Sequence, residues 1–241
     1  MWDFYLYLVI GLLVFFGFSV RVITGFGSAL ILAPFVSLVL GAKHAVVFII
    51  LLECAMGVVF IVKERLNFEV KHIFAGGIAG IIAGIVLFGL LSQQIVGLII
   101  GAGVVVFSIL FLLNITFRTE REVLLFTTLG FLSGSMGVLT GINGPQIVLG
   151  LANQGYDGSF IRGCMITYLI VIDFITLASF SISGYVTADL VKLLMYSIPF
   201  LILSYFIGRY MLQFINPEKL RRVMLYITLF AGTLAIWNFV P

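Results

Sequence analysis

Residues 22–40 read VITGFGSALILAPFVSLVL, and residues 134–151 read GSMGVLTGINGPQIVLGL. Each is rich in Gly, Ser, Thr and Pro and sits within sequence that is otherwise apolar. In hydrocarbon, backbone N–H and C=O groups find no water. A helix-breaking segment therefore survives only where protein buries it or where it lines a wet cavity. Two such segments at corresponding places in two halves point to the binding site of a secondary transporter.

The surrounding composition sets the class. Of 241 residues, 62% are hydrophobic and 10% charged, and the mean hydropathy is +1.27. Soluble domains carry about 25% charged residues to cover a solvated surface. This chain lacks that charge and reads as an integral membrane protein in a lipid bilayer. Its net charge of +3 is spread through gaps between apolar runs, so no basic stripe for nucleic acid is present. Cys54 and Cys164 fall inside apolar runs and read as small buried filler rather than a disulfide framework. The first apolar run has neither a basic leader nor a small-residue cleavage site and reads as the first span, not a signal peptide.

A span takes about 20 apolar residues. The clear runs are 4–20, 45–62, 73–91, 95–115, 123–138, 160–182, 190–207 and 220–239. Residues 28–40 and 145–152 are extra apolar pieces. Thirteen residues give only about 20 Å of helix, too short to cross about 30 Å of hydrocarbon. They read as half helices, each joined to the preceding span by a Gly-rich break.

The layout repeats. Gly84 precedes Ser92-Gln93-Gln94-Ile95 at the spacing at which Gly208 precedes Asn216-Pro217-Glu218-Lys219, and Pro34 matches Pro145 as the residue closing each break. The expected fold is an all-α integral membrane protein of two inverted repeats. Each repeat has about four full transmembrane helices plus a half helix, giving eight long spans and about ten membrane segments. Residues 1–117 form the first repeat, 118–122 a polar linker and 123–241 the second.

The positive-inside rule separates the topologies. With five passes per half, Arg21, Lys63, Arg65, Lys71, Arg118, Arg121, Arg162, Arg209, Lys219, Arg221 and Arg222 share one side. Lys43 and Lys192 take the other, which accounts for all 13 basic residues. With eight passes and Arg21 set aside as intramembrane, the remaining 12 divide equally. The first arrangement is expected, with both termini outside.

These residues resemble a known family. Gly25-Phe26-Gly27-Ser28 followed by Pro34 is similar to the first-half glycine motif of the sulfite exporter TauE/SafE family. Gly141-Ile142-Asn143-Gly144-Pro145-Gln146 resembles its second-half motif. Ile207-Gly208-Arg209 followed by 216–222 looks like its closing segment. The resemblance implies a permease in a bacterial inner membrane for sulfur-containing anions such as sulfite, sulfoacetate or other organosulfonates. Ser28 and Ala29 stand where a run of glycines is common, and Asn143 sits inside the second motif, so the resemblance leaves the anion open.

The breaks carry the expected chemistry. A half helix starting near Gly27-Ser28 or Gly144-Pro145 leaves its first N–H groups unpaired at the positive end of its dipole, which suits an anion. Gly25, Gly27, Gly141 and Gly144 let a ligand approach the backbone, and Thr24, Ser28, Thr140, Asn143 and Gln146 are candidate side-chain donors. The plainer reading is that the glycines only permit close helix packing; it is preferred for Gly76, Gly77, Gly80 and Gly84, and the site for the two breaks.

Glu53 and Asp173 lie deep in apolar runs, ILLECAM and IVIDFIT. Acids there are expensive and are usually functional or paired. They are candidate symmetry mates that couple transport to protons, or structural groups bonded to their neighbours. Arg21 abuts the first break and is read either as an anion contact or, preferably, as a side chain snorkelling to the headgroups. His44 and His72 read as ordinary interfacial residues. Tyr168 and Tyr205 read as packing.

No G-x-S-x-G, H-E-x-x-H, Walker loop or Cys/His cluster is present, so no enzyme, metal centre or cofactor is expected. The expected activity is secondary-active transport by alternating access, with carboxylate transport or an anion channel as alternatives. A homodimer is compatible with the sequence.

Overall fold

The structure, a computed structural model, describes residues 4–63, 69–113, 118–215 and 217–240. Arg65, Phe117 and Asn216 lie outside the described residues. The described residues form ten α-helices and no strand: α1 (Phe4–Thr24), α2 (Ser28–Leu40), α3 (Ala42–Lys63), α4 (Lys71–Leu90), α5 (Gln93–Leu112), α6 (Glu122–Thr140), α7 (Pro145–Gln154), α8 (Gly158–Ile182), α9 (Ala188–Met211) and α10 (Pro217–Phe239). Eight are long and apolar enough to span a membrane; α2 and α7, with 13 and 10 residues, are the short pieces. Polar caps mark several starts. Ser92 accepts from the Ile95 amide, Asp157 from those of Ser159 and Phe160, and Thr187 from that of Leu190.

Lipid tails are as apolar as leucine, so helices associate in a bilayer by close backbone approach rather than by hydrophobic exclusion. Glycines provide that approach here. Gly76, Gly80 and Gly84 of α4 face Gly130 and Gly134 of α6 and their neighbours. A methyl group at Gly76, Gly80, Gly130 or Gly134 would overlap a carbonyl oxygen of the opposite helix. Gly101 of α5 and Gly232 of α10 meet in the same way, and Ser108 and Thr228 bridge that pair through their hydroxyls at 2.9 Å.

The pairings form a pattern. α4 packs along α6 and α9 along α1; α3 meets α9 as α8 meets α4; α3–α8 and α5–α10 pair across the halves. Exchanging α1–α5 with α6–α10 maps these contacts onto one another. Single residues follow. A methyl on Gly84 would stand 2.9 Å from Val138 Cβ and 3.1 Å from the Ser135 carbonyl oxygen; on Gly208 it would stand 2.9 Å from Val22 Cβ and 3.0 Å from the Ser19 carbonyl oxygen. Val22 and Val138 each lie two residues before the Thr-Gly pair that ends α1 or α6.

Because α1 packs on α9 and α4 on α6, the halves share one core instead of folding as separate bodies. At its centre is α3, with residues 45–50 fully or nearly fully buried.

Candidate functional site

Both breaks begin with the same device. α1 ends at Thr24 and α6 at Thr140, and the glycine after each takes a left-handed φ: 86° at Gly25 and 75° at Gly141. Their amides still reach back four residues, Gly25 to the Arg21 carbonyl at 2.7 Å and Gly141 to the Gly137 carbonyl at 2.8 Å. The chain then turns away. Gly27, at φ 103°, caps α2 before Ser28. Gly144 precedes Pro145, whose missing N–H costs nothing in the first helical turn.

The breaks touch one another: a methyl group on Gly144 would lie 3.6 Å from Phe26 Cβ. They also abut the long central helices, Gly141 against Ile49 of α3 and Gly144 against Met165 of α8.

Two buried acids close onto the breaks. Ser28, the first residue of α2, donates its hydroxyl to Glu53, and Glu53 forms an ion pair with Arg21. Asn143 donates its side-chain amide to Asp173, and its carbonyl accepts the Ser133 hydroxyl. Glu53 lies midway along the 22-residue α3, and Asp173 is 0% exposed in α8. Arg21 is 1% exposed, flanked by the Phe18 and Phe60 rings at 5.8 and 5.6 Å, and its charge also acts on Asp173.

Several polar atoms in this region have no partner among the described residues. They are Arg21 Nε, Asp173 Oδ2, Thr176 Oγ1 and both amide atoms of Gln146. Gln146 is the second residue of α7 and 4% exposed. A buried amide with neither donor nor acceptor satisfied costs a few kcal/mol, so such groups call for an explanation.

The structure therefore brings together Ser28, Glu53 and Arg21 at one break and Asn143 and Asp173 at the other, with Gln146 three residues beyond Asn143. It corrects three expectations. Arg21 does not snorkel: it is buried, and its long side chain turns inward because Glu53 gives it a countercharge.

Thr24 and Thr140 do not offer free donors. The Thr24 hydroxyl lies 2.9 Å from the Val20 carbonyl and 2.6 Å from that of Phe26, and Thr140 donates to Met136 while accepting from the Ile142 amide. Both serve their own helix ends, as hydroxyls near unpaired backbone groups do.

Pro34 does not close the first break. It lies inside α2, six residues past Ser28. Proline removes a single ladder bond, whereas the left-handed glycines end the helix outright. Counted from the starts of α2 and α7, the two acids stand at similar distances along the chain. Glu53 follows Ser28 by 25 residues, and Asp173 follows Pro145 by 28.

Other residues fall where packing places them. His44 and His72 are exposed, Cys54 and Cys164 are buried free thiols, and Tyr168 donates to the Gly130 carbonyl at 3.4 Å. Tyr205 accepts from Arg209. Arg162, counted from sequence among the basic residues of one membrane side, donates to the Val22 carbonyl at 3.1 Å and so satisfies a carbonyl in the last turn of α1. Nothing local could reveal that partner, 140 residues away. Ser133 and Thr176 likewise join the site only through the fold.

The family model for the sulfite exporter TauE/SafE matches residues 9–234, nearly the whole chain and both breaks. The chain belongs to this family. As a TauE/SafE protein it is an integral, multi-pass membrane protein of a transporter family. No curated protein and no solved structure matches it significantly.

Proposed function

We propose that this TauE/SafE protein is a secondary-active transporter for a small sulfur-containing anion, such as sulfite, sulfoacetate or another organosulfonate. The anion binds between the first turns of α2 and α7 and crosses by alternating access. The observation that carries this reading is Gln146. Its amide is buried and, among the described residues, unpartnered in the first turn of a half helix, beside a second break that touches the first. The positive end of the helix dipole favours a negative ligand there, and the side-chain amide offers it a donor; the Ile147 and Val148 amides are taken by the Gly144 carbonyl at 3.1 Å.

The family description supports a sulfur oxyanion. The exchange of helix pairings between halves supports two repeats that move against each other around a shared site, and the distribution of basic residues along the sequence supports their inversion in the membrane. Protons are the proposed coupling ion because two buried acids share one buried cation among the described residues of the site. The proposed location is a bacterial inner membrane with both termini outside.

Reconstituted vesicles test the reading. Labelled sulfite or sulfoacetate should enter with saturable kinetics and accelerate when unlabelled substrate is placed on the other side. Flux that neither saturates nor exchanges would make the protein a channel. Exchange of acetate or lactate without any sulfur anion would make it a carboxylate transporter.

A further inference from the structure

An anion site that already holds an anion is closed. At the α2 N-terminus, Glu53 does what a bound oxyanion would do: it accepts from Ser28 in the first turn and neutralises Arg21. At the α7 N-terminus the acid stands one group further back. Asp173 accepts from Asn143 in the break, while Gln146 in the first turn has no partner among the described residues. The two acids are thus equivalent in position but not in what they occupy.

We propose that Glu53 is an internal stand-in for the transported anion. It occupies the Arg21–Ser28 subsite in the unloaded protein, and a proton arriving on it releases both groups to the substrate. Asp173 is a fixed positioning residue that holds Asn143 and the second break. This inference rests on the transport reading above and adds which acid carries the proton and which cation meets the substrate.

The balance is simple. Glu53 takes one proton, giving up its charge and its ion pair, and Arg21 exchanges a carboxylate for a monoanion. The site then holds the same net charge loaded as unloaded, so the low-dielectric interior never carries an uncompensated guanidinium. One proton moves with each monoanion.

The groups around Glu53 are few. α1 supplies Arg21 and α2 the Ser28 hydroxyl; α8, packed along α3, carries Arg162, Cys164, Tyr168, whose hydroxyl donates to the Gly130 carbonyl, and Asp173, on which the Arg21 charge also acts. Cys54 is the neighbouring thiol on α3 itself. α9 presents Tyr205, engaged by Arg209, and carries Asp189 and Lys192 at its exposed start. α5 has no titratable residue, and α6 has only Glu122, exposed at its beginning.

The test uses methanesulfonate, which stays a monoanion from pH 5.5 to 8, and binding is read as stabilisation of the full-length protein in detergent. In the wild type, affinity should rise about tenfold for each unit the pH falls until Glu53 is protonated, as a one-proton linkage requires. Glu53→Gln should bind about as tightly at pH 8 as the wild type does at its acid limit, with a flat pH profile. Asp173→Asn should keep the slope.

A slope that persists in Glu53→Gln overturns the inference and leaves the anion site standing. No methanesulfonate binding by either protein at any pH removes the site and the inference together. Should Glu53→Gln fail to fold, the paired Arg21→Gln/Glu53→Gln variant replaces an ion pair by two amides. It is expected to fold and to lose methanesulfonate; retained binding would show that Arg21 does not meet the anion.

Discussion

Arg21 and Gly137 stand at the same place in their halves, three residues before the Thr-Gly pair that ends α1 and α6. Where the first half has a guanidinium against Glu53, the second has a glycine against which Asn143 packs: a methyl there would lie 2.9 Å from Asn143 Cβ. The site at the two breaks is therefore symmetric in backbone and asymmetric in charge. Arg21 is the one fully buried cation among the described residues of this site, while the half-buried Arg162 packs against Gly25 of the first break.

Arg21→Gln should destabilise the protein strongly. It leaves Glu53 buried without its countercharge, and breaking a buried pair by removing one partner costs about 3–5 kcal/mol. Adding Glu53→Gln should recover most of that loss. Thermal unfolding of the two variants in detergent checks this; equal stability of wild type and Arg21→Gln would mean the pair is not formed.

Asn143→Ala should cost about 1–3 kcal/mol, the usual penalty for stripping a buried acid of its hydrogen bond. The Asn143 carbonyl that receives Ser133 is unaffected, so the second break keeps its path and the loss should stay within that range. Denaturation in mixed detergent reads the difference.

Gly80→Ala and Gly134→Ala should each push α4 and α6 apart, because the added methyl meets backbone that cannot yield. Overpacking of this kind costs about 1–3 kcal/mol. Gly158→Ala is the control. Nothing lies within 4 Å of a methyl at that position, and stability should change by no more than about 0.5 kcal/mol.

The helices were legible because a bilayer demands long apolar runs, and the runs read from sequence fall within a few residues of α1, α3–α6 and α8–α10. α1 continues through Arg21 to Thr24, past the end of its apolar run. A charge stops a span only when it must reach water, and here Glu53 meets it inside. The half helices were legible as apolar pieces too short to cross. Their starts were less so. Proline is the conspicuous breaker in sequence, yet Pro34 is helical, and it is the φ of Gly25 and Gly27 that turns the chain.

The site was legible in part. Glu53, Asp173, Ser28, Asn143 and Gln146 stood out as polar groups in apolar surroundings. Their pairing did not, since Arg21 reaches Glu53, and Ser28 reaches it too, only because α2 folds back along α3. The roles of Thr24 and Thr140 depended on where the helices end, which residue type alone does not reveal.

The most direct measurement is the thermal unfolding of wild type and Gln146→Ala across a sulfite titration. Gln146 has no partner among the described residues, so removing its amide should leave the melting temperature in buffer unchanged or raise it. It should also weaken the sulfite-dependent stabilisation by about tenfold in concentration, the loss of one good hydrogen bond to a charged group. A Gln146→Ala protein that melts with the wild type and responds to sulfite at the same concentrations would contradict an anion site at the start of α7.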